Sequence, residues 1–254
     1  MTAVDDRLEA LEASAARLEA VVNDLTPDQI NGQSYPTKWT IAQVLSHLGS
    51  GAVIMRGGID ATVSGQPLAE GFNQSVWDEW NAKLPSAQAS DALVADRALL
   101  GRLAALTDAE RAAFQFSMGP FTLDLAAFLG LRLNEHVLHT WDIDVVLQPS
   151  ATLPNDAVGI VVDSLEMITG FAGKSDGNER VIAIHTTDPA RSFELTVGPE
   201  RVALAPTTDS ASASVELPSE AFIRLVYGRL DPAHTPSGID SPALDPLRSM
   251  FTGV

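Results

Sequence analysis

Asn134-Glu135-His136-Val137-Leu138-His139-Thr140-Trp141-Asp142 places an acid and an imidazole four residues apart inside a largely apolar segment. At about 100° per residue an α-helix returns positions i and i+4 to within about 40° of each other, one turn apart. Glu135 and His139 so placed reach one divalent metal. A single ligand from another helix completes a facial set with open coordination positions. His47 is the candidate for that third ligand. Asp142 lies seven residues after Glu135 and three after His139, so it shares their face and is placed to orient one of the ligands. The competing reading is an ordinary i,i+4 pair on a solvated face. Leu138, Trp141 and Val145 follow an apolar stripe close to that face, which favours burial, and a buried glutamate needs a charge partner. His136, rotated about 100° from Glu135, is expected to face outward or to support the site from behind. His185 on a strand and His234 in a Pro-rich tail are read as ordinary surface or core residues.

Working outward, the segment belongs to the last of four long helical stretches. In the first, Leu11, Leu18 and Leu25 recur every seven residues, with Leu8, Ala15 and Val22 at the second set of heptad positions. That is the apolar stripe of a bundle helix, ending near Thr26-Pro27. The second starts at Thr40, with Gln43 completing a T-x-x-Q capping box. Ile41, Val44, Leu45, Leu48 and Ile54 supply its core contacts. His47 shares a side with Val44, Gly51 and Ile54 and so points inward, and Gly57-Gly58 is expected to end the helix. Asn73 to Trp77 opens a short helix. The third long helix runs roughly from Ser86 to Leu106 on Leu93, Leu100, Leu103 and Leu106. Thr122 looks like the cap of the fourth, Leu123 to about Val146. Four helices joined by long crossovers predict a four-helix bundle, in which metal sites form between facing helices.

The texture changes between Pro149 and Pro154. Asn155 to Phe171 still reads as one helix. After Gly177 the period drops towards two, with Val181, Ala183 and His185 alternating with Ile182, Ile184 and Thr186. Short strands are expected at Phe193–Val197, Val202–Leu204 and Ala213–Leu217, then a helix from Ser219 to Tyr227 stopped by Gly228. The fold class is therefore α plus α+β: a bundle over residues 1–150 and a smaller α+β domain with an antiparallel sheet over 155–254.

Composition narrows the function. The 254 residues include 16 Lys and Arg against 33 Asp and Glu, a formal net charge of −17. Such a field disfavours nucleic acid and anionic membrane as partners. No cysteine occurs, which excludes disulfides, thiolate ligands and a cysteine nucleophile. The acidic N-terminus lacks an apolar signal core, and no apolar run reaches the roughly 18 to 20 residues that span a bilayer. A cytoplasmic protein is expected.

Two segments carry a family resemblance. They are Trp39-Thr40-Ile41-Ala42-Gln43-Val44-Leu45-Ser46-His47-Leu48 and Glu135-His136-Val137-Leu138-His139-Thr140-Trp141-Asp142-Ile143-Asp144. They resemble the mycothiol-dependent maleylpyruvate isomerase family, whose N-terminal half belongs to the broad DinB-like metal-binding group. Ala221-Phe222-Ile223-Arg224-Leu225-Val226-Tyr227-Gly228-Arg229-Leu230 looks like the family's second, sterol-carrier-like domain. The resemblance implies that His47, Glu135 and His139 are zinc ligands, with water completing the shell. It also implies that mycothiol, a thiol of actinobacteria, binds as thiolate and attacks a small electrophile. An S-transferase or isomerase, of the kind used in detoxification, follows as the expected activity, in a monomer or homodimer.

Arg229, just past the helix stop at Gly228, is the candidate for holding a carboxylate of substrate or thiol, with a purely structural role as the alternative. Arg224, about 200° from Phe222, is expected to be exposed. Asn73 is a candidate hydrogen-bonding residue for the thiol cofactor or a helix cap. Trp39 and Trp141 either wall the pocket or seal the core beside it, and Gly57 to Trp80 and Phe114 to Phe121 are expected to shape it. Two other functions compete. One is a hydrolase using metal-bound hydroxide, which needs no thiol. The other is a nonenzymatic protein whose second domain holds an apolar ligand.

Overall fold

A computed structural model describes residues 2–119, 121–207, 214–239 and 244–253. The chain divides into two compact units, Met1–Ala151 and Thr152–Val254. In the first, the helices are α1 (Ala3–Asp24), α2 (Pro27–Ile30), α3 (Ile41–Ser64), α4 (Phe72–Asn81), α5 (Pro85–Ala104), α6 (Asp108–Ala113) and α7 (Leu125–Leu147). A hairpin of β1 (Phe116–Met118) and β2 (Phe121–Leu123) precedes α7. The long helices form a four-helix bundle in which α1 packs on α7 and α5, and α3 on α5 and α7. Leu11, Leu18 and Val22 of the α1 stripe are buried, as their spacing predicts. Leu45 and Leu48 of α3 lie in the core with Trp80 and Leu93.

Helix α3 begins where its capping box predicts. The Thr40 hydroxyl accepts from the Gln43 amide at 3.2 Å, and Gln43 Oε1 accepts from the Thr40 amide at 2.8 Å. It does not end at Gly57-Gly58 but runs on to Ser64, and Gly65 at φ 69° stops it. The two glycines serve packing. A Cβ on Gly57 would meet the Phe72 ring at 2.9 Å, and one on Gly58 the Phe116 ring at 2.7 Å. Gly49 is tighter still, with the buried Trp80 ring at 2.2 Å. Thr122 is not the cap of α7. It pairs with Ser117 in the hairpin, and Asp124 caps the helix by accepting from the Ala127 amide at 2.8 Å.

The second unit contains α8 (Asn155–Val162), α9 (Leu165–Ala172), β3 (Arg180–Thr187), β4 (Arg191–Val197), β5 (Val202–Pro206), β6 (Ser214–Pro218), α10 (Ser219–Val226), a 3-10 turn at Pro232–His234 and α11 (Asp245–Met250). The single helix expected over 155–171 is two. Ser164 returns its hydroxyl to the Val161 carbonyl at 2.8 Å, and Asp163 leaves the helix to hold Arg191 of β4 through both oxygens, at 2.6 and 2.9 Å. The sheet order is β5-β4-β3-β6. It is mixed rather than antiparallel, because β6 lies parallel to β3. A period of two marks a strand but carries no pairing direction. Ala213, expected to open the last strand, lies outside the described residues. Arg224 is buried rather than exposed, 2% accessible, and grips Glu220 one turn back at 2.8 and 2.9 Å. Among the described residues no helix is long and apolar enough to cross a membrane.

Candidate metal centre

His47 projects from the second turn of α3, and Glu135 and His139 from the middle of α7. These helices are neighbours, and one ligand atom from each side chain falls within 4.8 Å of the others. His47 Nε2 lies 2.9 Å and His139 Nε2 3.5 Å from the same oxygen, Glu135 Oε2. Donors about 2.1 Å from a common ion stand about 3.0 Å apart at right angles and about 3.4 Å apart at tetrahedral angles. The two separations bracket that range, so the residues fit a divalent cation.

Hydrogen bonding narrows the protonation. His139 Nδ1 lies 2.8 Å from Asp142 Oδ2, a fully buried acceptor, so Nδ1 carries a proton and donates it. In the neutral ring Nε2 is then a bare lone pair, and it faces an anionic oxygen. Two acceptors so placed repel unless a cation stands between them. Burial on its own would push the His139 pKa down, but the hydrogen bonds and charges of Asp142 and Glu135 outweigh it and hold it above the usual imidazole value. At Glu135, burial pushes upward and is overcome by the hydrogen bonds and charges of His139 and His47, which hold the carboxyl well below the usual range. The two shifts are reciprocal: the Glu135 carboxylate and the imidazoles each favour the other's charged form, so the imidazoles sit beside a carboxylate that stays ionised.

Access is one-sided. The side chains of His47 and Glu135 are 39% and 45% exposed, whereas His139 is 9% exposed. Trp39 covers the imidazoles, with ring centroids 5.3 Å from His47 and 5.8 Å from His139. Trp141 takes the other expected role. It is buried in the core, edge-on to Tyr35 at 4.9 Å, and its Nε1 donates to the Ala151 carbonyl at 2.9 Å.

Asp142→Asn is expected to weaken divalent-metal affinity by about 10- to 100-fold, since it removes the charge that fixes the His139 tautomer and raises its basicity. Isothermal titration with zinc reads this directly, and an unchanged constant would contradict the orienting role.

His136 faces neither solvent nor the ligand cluster. It is fully buried, with Nδ1 2.8 Å from Ser14 Oγ and Nε2 3.0 Å from Asp96 Oδ2. Asp96 and Arg132, both buried, form an ion pair beside it. Sequence reading missed these partners. The available signal was position: Asp96 lies three residues after Leu93 and four before Leu100, on the apolar stripe of α5. Asn73 is exposed at the second residue of α4, outside the ligand cluster, and Gly71 rather than Asn73 occupies the cap. Arg229 belongs to the second unit, where it is 6% exposed and its Nη1 donates to the Tyr227 carbonyl at 2.9 Å.

Comparison with known proteins adds family and fold. The family described as mycothiol maleylpyruvate isomerase N-terminal domain matches residues 11–144. No curated protein matches the sequence. A crystal structure of the mycothiol-dependent maleylpyruvate isomerase aligns with a TM-score of 0.65 at 14% identity, covering 89% of each chain. A structure of a histidine-to-alanine mutant of the mycothiol-dependent maleylpyruvate isomerase aligns equally well, at 12% identity over 89% of each. At such identities the likeness is one of fold, a helical bundle followed by an α+β domain. With more than half of its length inside the matched segment, the chain belongs to the mycothiol maleylpyruvate isomerase N-terminal domain family.

Proposed function

We propose that the protein is a metal- and mycothiol-dependent enzyme, an S-transferase or isomerase acting on small electrophiles. The observation that carries this reading is the meeting of one ligand atom each from His47, His139 and Glu135 within 4.8 Å in a member of this family. A zinc ion held by those atoms would favour the thiolate form of a bound thiol, the reactive nucleophile. Asp142 keeps the His139 Nε2 lone pair free for such an ion, and Trp39 stacks beside the buried His139 ring while His47 and Glu135 leave an open side for thiol and substrate. The chain has no cysteine, so none of its own side chains competes as a thiolate. Addition of the thiol sulfur to an electrophilic carbon gives an S-conjugate, and reversal of addition to a double bond gives an isomer.

Arg229 is assigned to hold a carboxylate of substrate or thiol, which its planar fork matches bidentately. Asn73 is assigned a hydrogen bond to the thiol cofactor. The enzyme is proposed to work in the cytoplasm, with no nucleic-acid partner.

The test is turnover of maleylpyruvate and of an activated haloarene by zinc-loaded protein, with and without mycothiol. Product is expected only when metal and thiol are both present. Equal turnover without thiol would establish the hydroxide reading instead. No turnover of either substrate with both present would contradict the proposal.

A further inference from the structure

Two residues of α7 that hold no metal candidate are nevertheless interleaved with the two that do: Arg132, Glu135, His136 and His139 follow one another along the helix. Arg132 and His136 both end on the one carboxylate of Asp96 from α5. Arg132 Nη2 donates to Asp96 Oδ1, and His136 Nε2 donates to Asp96 Oδ2 at 3.0 Å. Two bonds one turn apart, made to the two oxygens of a single group, set both the rotation and the height of α7 against α5. The same Arg132 Nη2 donates to the Leu48 carbonyl of α3 at 3.0 Å, at the residue next to His47. Ser14 of α1 closes the chain of bonds by donating to His136 Nδ1 at 2.8 Å. All four bundle helices are therefore tied at one level, beside the ligand cluster. Room for the guanidinium comes from Gly51, one turn after His47, where an added Cβ would stand 3.2 Å from Arg132 Nη1.

We infer that Asp96, with Arg132 and His136, is a positioning element of the metal centre, turning Glu135 and His139 of α7 to face His47 of α3. A side-chain atom about 6 Å from a helix axis moves about 1 Å when the helix rotates by about 10°. Metal–ligand distances tolerate only about 0.2 Å. Hydrogen bonds from two successive turns of a helix to both oxygens of a buried carboxylate resist a rotation of this size, since rotation would strain or break them in a low-dielectric interior. None of the three residues touches the ion in this assignment; they act through the ligands.

The inference rests on the metal reading above, and the test separates the two. Cobalt(II) is titrated into the full-length wild type, Asp96→Asn and Arg132→Lys, following the visible d–d bands, with circular dichroism as the measure of folding. Asp96→Asn keeps the shape but loses the charge that holds both partners; Arg132→Lys keeps a charge but not the fork. Each folded variant is expected to bind cobalt about tenfold more weakly than wild type, with altered band positions or intensities. A role confined to stability would lower the melting temperature and leave the cobalt spectrum unchanged. A folded variant with wild-type spectrum and affinity would overturn the inference while leaving the metal centre standing. If Asp96→Asn does not fold, Arg132→Lys decides by the same criterion. Failure of the wild type itself to take up cobalt would overturn both.

Discussion

His139→Ala is expected to reduce bound divalent metal from about one equivalent to near none while leaving the bundle folded. The ring supplies one of three protein donors, so its removal costs more than the 10- to 100-fold typical of losing an outer hydrogen-bond partner. It also leaves buried Asp142 without the imidazole it now holds at 2.8 Å, so a modest drop in melting temperature accompanies the loss. His47→Ala should lose metal to a similar degree, but at a site 39% exposed and with less effect on stability. Metal analysis after desalting reads both. Retention of a full equivalent in either variant would remove that residue from the ligand set.

Lowering the pH from 8 to 5 is expected to release the metal. An imidazole ligand must be deprotonated to bind, so each proton that competes with the metal lowers the apparent affinity about tenfold per pH unit below the ligand's own pKa. In the metal-free protein the His139 pKa lies above the usual imidazole value, after Asp142 and Glu135 overcome the downward push of burial. A raised pKa means the proton is held to higher pH, so competition begins at a higher pH than for an ordinary imidazole ligand. Glu135 is held in the opposite direction and stays ionised throughout this window. Affinity measured at half-unit steps should therefore fall with decreasing pH, and in Asp142→Asn the fall should begin at lower pH. A flat profile between pH 5 and 8 would show that imidazoles do not bind the ion.

The parts of this protein that local sequence reveals are those whose causes are local. Thr40 and Gln43 announce the start of α3 because a capping box is a contact between residues three apart. Leu11, Leu18 and Val22 announce a buried helix face because periodicity follows from helix geometry alone. Glu135, His139 and Asp142 could be grouped for the same reason, and the capped second helix supplied His47. What stayed hidden depends on partners distant in the chain. Gly57-Gly58 looks like a helix end until Phe72 and Phe116 are seen against it. Asp96 and Arg132 sit on different helices, 36 residues apart, so their buried ion pair has no local signature beyond the place of Asp96 on an apolar stripe. The direction of β6 follows from its pairing with β3, which no period encodes. Arg224 reads as exposed by helical angle, yet Glu220 one turn away accompanies it into the interior.

The convergence of His47, Glu135 and His139 on one cation is tested most directly by X-ray absorption of the protein loaded with one equivalent of zinc. Two imidazole nitrogens with oxygen donors, at about 2.0–2.1 Å, and no sulfur before thiol is added, is the expected coordination shell. A shell without imidazole, or a protein that takes up no zinc, would contradict it.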